Sequence, residues 1–232
     1  MAAFDLDGTL IRRGSSWQFL VAMVGLRRVA LATLVVLPKL VLAAVLGGAA
    51  ADDAKEALFM RTLEGLDLAA TAPRAARFGT DHYRRHARAD VRARLEWHRA
   101  RGHLLVVVSA SPELYVRTVG DELAVNEVVA TRLEVGPDGR LTGRYDGHNC
   151  RGAQKVRRLD EVVETALARS EADGDYGESQ PRPARTKRFL WAYGNSAGDK
   201  ELLSVADVGV NVGRLGKLGR LHRFPSLKDL AP

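Results

Sequence analysis

The chain has 232 residues, 46% of them hydrophobic, which suits one globular core with room for an insertion or a small second domain. Its formal charge of +7, carried mostly by arginine, favours anionic partners: phosphorylated metabolites, acidic lipid head groups or nucleic acid. Cys150 is the sole cysteine, which excludes an internal disulfide and makes a reducing, cytoplasmic setting the expectation.

In chain order, residues 2–4 read as a very short apolar strand running straight into Asp5 and Asp7. No basic stretch followed by an apolar run precedes them, so no secretory signal is expected. Residues 17–46 read as helical and apolar, broken after that by Gly47-Gly48 and Asp52-Asp53. The run 29–46 is long enough to raise the question of a membrane span. Pro38 and Lys39 divide it into two halves, and no second long apolar stretch brings the chain back. A buried helical hairpin is therefore expected, with a membrane-facing surface as the alternative. Residues 54–63 and 80–101 read as further helices, the last densely basic. The pattern then changes. Residues 104–108 are apolar on every side, as a strand buried on both faces of a parallel sheet would be. A helix over 113–123 follows, then a strand over 127–135. The turn Gly136-Pro137-Asp138-Gly139 leads into 140–145 as a hairpin. A helix over 152–168, a polar loop over 170–186 and strands over 189–193 and 207–212 complete the chain. This order predicts an α/β fold whose parallel sheet is interrupted after its first strand by a helical block.

Two acids one residue apart would point to opposite faces if the strand continued past Phe4. Gly8 lets the chain turn, so Asp5 and Asp7 can converge beyond the carboxyl end of the sheet, where open α/β folds bind ligands. One carboxylate can then attack phosphorus while the other moves a proton. Gly8 comes too early for a calcium loop. Ser109 sits where a hydroxyl meets a ligand oxygen or caps the next helix, and Lys155 sits near a helix start as a counter-charge or a solvated surface group. The basic residues 84–94 and the tail residues Arg214, Lys217, Arg220, His222 and Arg223 lack interleaved aromatics, so no nucleic-acid partner is expected. Trp17, Trp97, Trp191 and Cys150 read as packing residues.

The segment Phe4-Asp5-Leu6-Asp7-Gly8-Thr9 resembles the first motif of the haloacid dehalogenase-like hydrolase superfamily, and of its phosphoserine-phosphatase-like branch (subfamily IB) in particular. The resemblance implies a Mg²⁺-dependent phosphomonoesterase in which Asp5 is the nucleophile and Asp7 the general acid and base, with the Asp7 carbonyl also on the metal. Ser109 and Lys155 match the second and third motifs, and Gly8, Thr9 and Ala110 complete the implied phosphate-binding set. Gly194-Asn195-Ser196-Ala197-Gly198-Asp199 resembles the fourth motif, with Asn195 where the family usually has Asp. That departure makes Asp199 the expected stronger metal ligand, directly or through water, with Asn195 as a weaker contact.

By the same resemblance the fold is a Rossmann-like core of residues 1–14 and 102–232, with 15–101 inserted as a helical cap. A cap that grips a phosphorylated amino acid needs a charge pair, yet no acid appears between Asp7 and Asp52. The expected substrate is a small phosphorylated metabolite. A lipid phosphate at the inner face of a membrane, contacted through 29–46, is the alternative, and a non-catalytic phosphate-binding protein is a second one.

Overall fold

The computed structural model describes residues 1–172, 189–213 and 221–230. From the N-terminus, strand β1 (Ala2–Phe4) is followed by helices α1 (Ser16–Val24), α2 (Leu26–Leu46), α3 (Gly48–Leu63), α4 (Leu68–His86) and α5 (Ala89–Arg99). The chain then alternates through β2 (Leu105–Pro112), α6 (Glu113–Glu122), β3 (Glu127–Thr131), β4 (Leu133–Val135), β5 (Leu141–Tyr145), α7 (Ala153–Ala172), β6 (Trp191–Gly194), α8 (Lys200–Val205) and β7 (Val208–Asn211). Five strands form one parallel sheet in the order β3-β2-β1-β6-β7. The continuous apolar run of β2 follows from that arrangement. Leu105 and Val107 pack with Phe4, Tyr193 and Val210 on one face, and Val106 and Val108 pack with Ala3, Val129 and Ala192 on the other. The second face is closed by Leu159 of α7 and Leu202 and Leu203 of α8.

Phe4 is in register with Val107 on one side and Tyr193 on the other. Parallel pairing therefore brings Asp5, Ser109 and Asn195, each just beyond its paired residue, to the same carboxyl edge of the sheet.

The helical block departs from its sequence reading in four places. Pro38 and Lys39 do not divide the apolar run, because α2 continues through Pro38 as one helix of 21 residues. A proline there removes one backbone hydrogen bond, and the stripe Val29, Ala32, Val36 seated against the rest of the fold holds the helix in register across the gap. Nor is the helix buried. Leu31, Leu34, Val41, Leu42, Val45 and Leu46 are each more than half exposed. Asp52 and Asp53 do not end a helix either; they lie inside α3, where Asp52 accepts a hydrogen bond from Asn149 Nδ2 at 2.7 Å. The basic helix expected over 80–101 is two helices. It breaks at Ala87 and Arg88 because that backbone pairs with the acidic loop: Arg12 N donates to His86 O and Arg88 N to Leu10 O, each at 2.9 Å.

Helix α5, at the end of the insertion, packs on the sheet. His98 stacks edge-on against Phe4 and accepts or donates at 2.8 Å to the Tyr193 hydroxyl, and Trp97 meets Trp191 edge to face. The strand expected over 127–135 splits at Arg132, with β3 in the sheet and β4 paired antiparallel to β5 in a separate hairpin. That hairpin lies against α3 at Gly143, where a Cβ would come within 2.4 Å of Met60 Cα. Trp17, expected in the core, is 41% exposed. The polar loop of 170–186 and tail residues Arg214, Lys217 and Arg220 fall largely outside the described residues.

Candidate active site

Asp5 directly follows β1 with its carboxylate almost fully buried, and each of its oxygens has a partner. Lys155 Nζ, near the start of α7, donates to Asp5 Oδ1 at 2.6 Å, and Thr9 Oγ1 donates to Asp5 Oδ2 at 3.0 Å. The same ammonium donates to Asp199 Oδ1 at 2.6 Å, so one buried lysine bridges two buried carboxylates. Charge balance decides who keeps the proton. Burial opposes the charge on Asp199, but Lys155 beside it, with the bonds that Asp199 Oδ2 accepts from Ser196 N (2.9 Å) and Ser196 Oγ (2.8 Å), outweighs burial and lowers its pKa; Asn195 N (3.1 Å) donates there too. Asp5 lacks such support. Burial first, and then repulsion from Asp199, raise its pKa from 3.8 to about 7 despite Lys155. Lys155 is held charged: burial opposes the charge, and Asp199 and Asp5 more than offset it.

Asp7 does not face Asp5's lysine. Its carboxylate is held by serines from two elements: Ser15 Oγ donates to Oδ1 at 2.6 Å and Ser111 Oγ donates to Oδ2. Ser15 in turn lies 2.6 Å from the hydroxyl of Tyr115, which burial, with the Asp7 charge, keeps protonated. Since the single Ser15 proton is committed to Asp7, Tyr115 donates to Ser15, giving a relay from Tyr115 through Ser15 to Asp7. The turn that separates the two acids needs Gly8. Its φ is +81°, and a Cβ there would fall 2.1 Å from Asn195 Nδ2.

Ser109 is buried in β2, and its hydroxyl accepts from Ser111 N at 3.1 Å, where the pairing with β3 shifts register between Ser109 and Pro112. The Ala110 carbonyl is held from two sides, by Thr131 Oγ1 at 2.9 Å and by Lys55 Nζ of α3 at 2.6 Å. Burial brings the Lys55 pKa down from 10.5 to about 8, against the pull of Asp7 and Asp52. Arg88 closes the other side of the acidic loop: its Nη1 donates to the carbonyls of Gly8 (3.0 Å) and Val212 (2.6 Å).

Every expected site residue therefore lies at one edge of the sheet, with Asp5, Thr9, Lys155, Asn195 and Asp199 in one hydrogen-bonded cluster. Ser15, Ser111, Tyr115, Lys55 and Arg88 were not read as site residues from sequence. Ser111 carries a signal in retrospect, since it follows Ser109 by two in the same strand, and Ser15 lies only eight residues after Asp7; Tyr115, Lys55 and Arg88 are reached only across long stretches of chain.

The oxygen donors suit a hard cation. Thr9 Oγ1 lies 3.0 Å from Asp5 Oδ2 and 3.3 Å from Asn195 Oδ1, so a carboxylate and an amide oxygen flank one point beside the acidic loop. Mg²⁺ takes such oxygens and keeps several waters, and the three acids Asp5, Asp7 and Asp199 outnumber the two nearby lysines, Lys155 and Lys55. Among the described residues no three His, Cys, Asp or Glu side chains form a metal cluster, so the fit relies on Asn195 and backbone oxygen. Asp199, expected as the stronger ligand, has both oxygens occupied by the four donors named above.

The sequence profile of the haloacid dehalogenase-like hydrolases matches residues 2–204. Protein CicA of Caulobacter vibrioides is 32% identical over 207 residues, which cover 89% of this chain and 83% of that protein. Among solved structures, a protein of unknown function from Bordetella pertussis superposes with a TM-score of 0.68 at 22% identity, covering 91% of this chain and 89% of the other. A phosphoserine phosphatase solved as a phospho-aspartyl intermediate analogue superposes with a TM-score of 0.56 at 18% identity, covering 91% and 85%. The profile match across most of its length and the extent of its likeness to CicA show that the chain belongs to the haloacid dehalogenase-like hydrolase family.

Proposed function

We propose that the protein hydrolyses phosphate monoesters through an aspartyl-phosphate on Asp5. The observation that carries this reading is the division of labour between the two acids: Asp5 faces Lys155, and Asp7 faces a hydroxyl relay. An Asp5 oxygen attacks phosphorus, and the bond to the leaving oxygen breaks as Asp7 delivers its proton there. Asp7, again a carboxylate, then takes a proton from water, and the resulting nucleophile cleaves the acyl-phosphate to release inorganic phosphate. Lys155 carries positive charge to the equatorial oxygens, and Ser109 with the Gly8–Thr9 and Ala110 amides completes the cradle. Mg²⁺, held by Asp5, the Asp7 carbonyl and Asn195, would cancel the repulsion between carboxylate and phosphate. Asp199 anchors Lys155 and the Asn195–Ser196 backbone in this scheme. The helices inserted between β1 and β2 act as the cap, placing Lys55 over the Ser109 loop.

Release of p-nitrophenol from p-nitrophenyl phosphate in Mg²⁺ tests the reading, with Asp5→Asn as control. Turnover by the natural chain and a trapped phosphoryl adduct on Asp5 are expected. Equal rates for the two proteins would overturn it in favour of a binding protein.

A further inference from the structure

We infer that the substrate is a lipid monophosphate presented by an anionic bilayer, with α2 lying on the bilayer and the lipid tail entering a crevice beside it; this rests on the phosphatase reading above. From Val29 to Leu46 helix α2 is apolar but for Thr33 and Lys39, yet only Val29, Ala32 and Val36 are buried. An all-apolar helix in a water-soluble core is normally enclosed, and a contiguous exposed apolar face marks a surface that meets something apolar. The helix is long and apolar enough to cross a membrane, but crossing would strip that buried stripe from its packing, so lying along the interface is the geometry that keeps the fold.

Charge identifies the surface. Between Gly8 and Ala51 the chain carries Arg12, Arg13, Arg27, Arg28 and Lys39 and no acid, and Arg27, Arg28 and Lys39 are exposed on α2 itself. Arg27 and Arg28 at the start of the helix and Lys39 within it complement anionic head groups. Trp17, partly exposed next to the same helix, has the amphipathic ring that settles at such an interface.

A crevice of about 420 Å³ joins this face to the chemistry. Its walls are apolar, from Leu20 of α1, Leu40 and Ala44 of α2, and Leu58 and Phe59 of α3. Its lining also includes Lys55 and Ser16. Lys55 Nζ bonds the Ala110 carbonyl, and Ser16 Oγ lies 3.4 Å from Ser111 Oγ, whose hydroxyl donates to Asp7. An apolar path thus runs from the exposed helix to within one residue of the proton-transferring acid. A soluble polar ester gains nothing from such walls; an alkyl chain does, at roughly 0.8 kcal/mol per buried methylene. Cleavage breaks the bond between phosphorus and the ester oxygen, Asp7 protonates the lipid alcohol, and the alcohol stays in the bilayer while phosphate leaves to water.

The full chain is tested with phosphatidylcholine vesicles, with and without phosphatidylglycerol, carrying 1-oleoyl lysophosphatidate; glycerol 3-phosphate and p-nitrophenyl phosphate serve as tail-free controls. Co-sedimentation with the phosphatidylglycerol vesicles, and lysophosphatidate turnover well above that of glycerol 3-phosphate, are expected. The Leu34→Glu, Leu42→Glu double variant should lower vesicle binding by about tenfold or more while p-nitrophenyl phosphate turnover stays unchanged. Ala44→Trp, which narrows the crevice, should keep both vesicle binding and p-nitrophenyl phosphate turnover and lose lysophosphatidate turnover. Hydrolysis of p-nitrophenyl phosphate without vesicle binding, or pairing of α2 faces in a dimer that the Glu variants dissolve, overturns the inference and leaves the phosphatase reading standing. Absence of turnover on every ester, with vesicle binding intact, overturns the phosphatase reading and with it the assigned substrate.

Discussion

Lys155 is the residue on which the site's charge balance turns. Its ammonium lies 2.6 Å from both Asp5 and Asp199, and all three groups are buried. Removing one partner of a buried ionic group leaves the others uncompensated, at a cost of about 3–5 kcal/mol. Lys155→Met should therefore unfold at markedly lower denaturant than the natural chain and lose turnover of p-nitrophenyl phosphate by about 10²-fold or more. Loss of turnover with an unchanged unfolding midpoint would show that the bridge does not support the fold. Lys55 presents the opposite balance. Burial lowers its pKa from 10.5 to about 8, so between those values the unfolded chain binds the proton more tightly than the folded one. The folded protein thus carries a penalty that is full below about pH 8 and is relieved as pH rises toward 10.5. Lys55→Met should remove that rise, which unfolding midpoints measured at pH 7 and pH 10 would reveal, and should stabilise the chain at neutral pH. The acids and Lys155 stood out in the sequence through their resemblance to the family's motifs, and the fold brings Asp5, Lys155 and Asp199 into one buried cluster. Ser15, Ser111 and Tyr115 did not, since hydroxyls are common everywhere, and Ser111 meets Asp7, and Tyr115 meets Ser15, only through the fold, across 104 and 100 residues.

At the scale of elements, local propensity and tertiary pairing disagree in instructive places. The residues around Ala87 favour a continued helix, but the backbone of Arg88 is taken by Leu10 and its guanidinium by Gly8 and Val212. No local pattern encodes that break, because its cause lies nearly 80 residues upstream. Strand β2 was legible for the converse reason: burial on both faces writes itself as an uninterrupted apolar run. Helix α2 misled for a physical reason too, since an all-apolar helix reads the same whether protein or another apolar phase covers it. Its continuity through Pro38 carries a prediction. A proline inside a helix costs about 3 kcal/mol or more through the lost hydrogen bond and the clash with the preceding turn. Pro38→Ala should raise the thermal midpoint, by an amount that circular dichroism resolves. An unchanged or lowered midpoint would mean that the segment around Pro38 gains nothing from being helical in solution.

For the whole molecule, strands β1, β2 and β6 bring Asp5, Ser109 and Asn195 to one edge of the sheet, and the helical insertion brings Lys55 of α3 to the Ala110 carbonyl there and leaves an apolar face of α2 exposed. The arrangement concentrates negative charge at the strand ends and distributes the +7 excess elsewhere. A divalent cation at the strand ends would therefore stabilise the whole fold as well as the reaction. Anything bound only to the native state adds RT ln(1 + [L]/Kd), about 2.7 kcal/mol at a hundredfold excess over Kd. Asn195 sets how strongly that linkage operates, because an amide oxygen contributes a ligand without a charge. Asn195→Asp adds a fourth carboxylate to the site, beside Thr9 and Asp5, so without metal this variant should melt below the natural chain. Titrating Mg²⁺ should then raise its midpoint further and at lower concentration than it raises that of the natural chain, so that the two melting curves cross. Should neither protein respond to Mg²⁺, the oxygen cluster around Thr9 would not be a cation site, and Lys155 alone would have to neutralise the incoming phosphate.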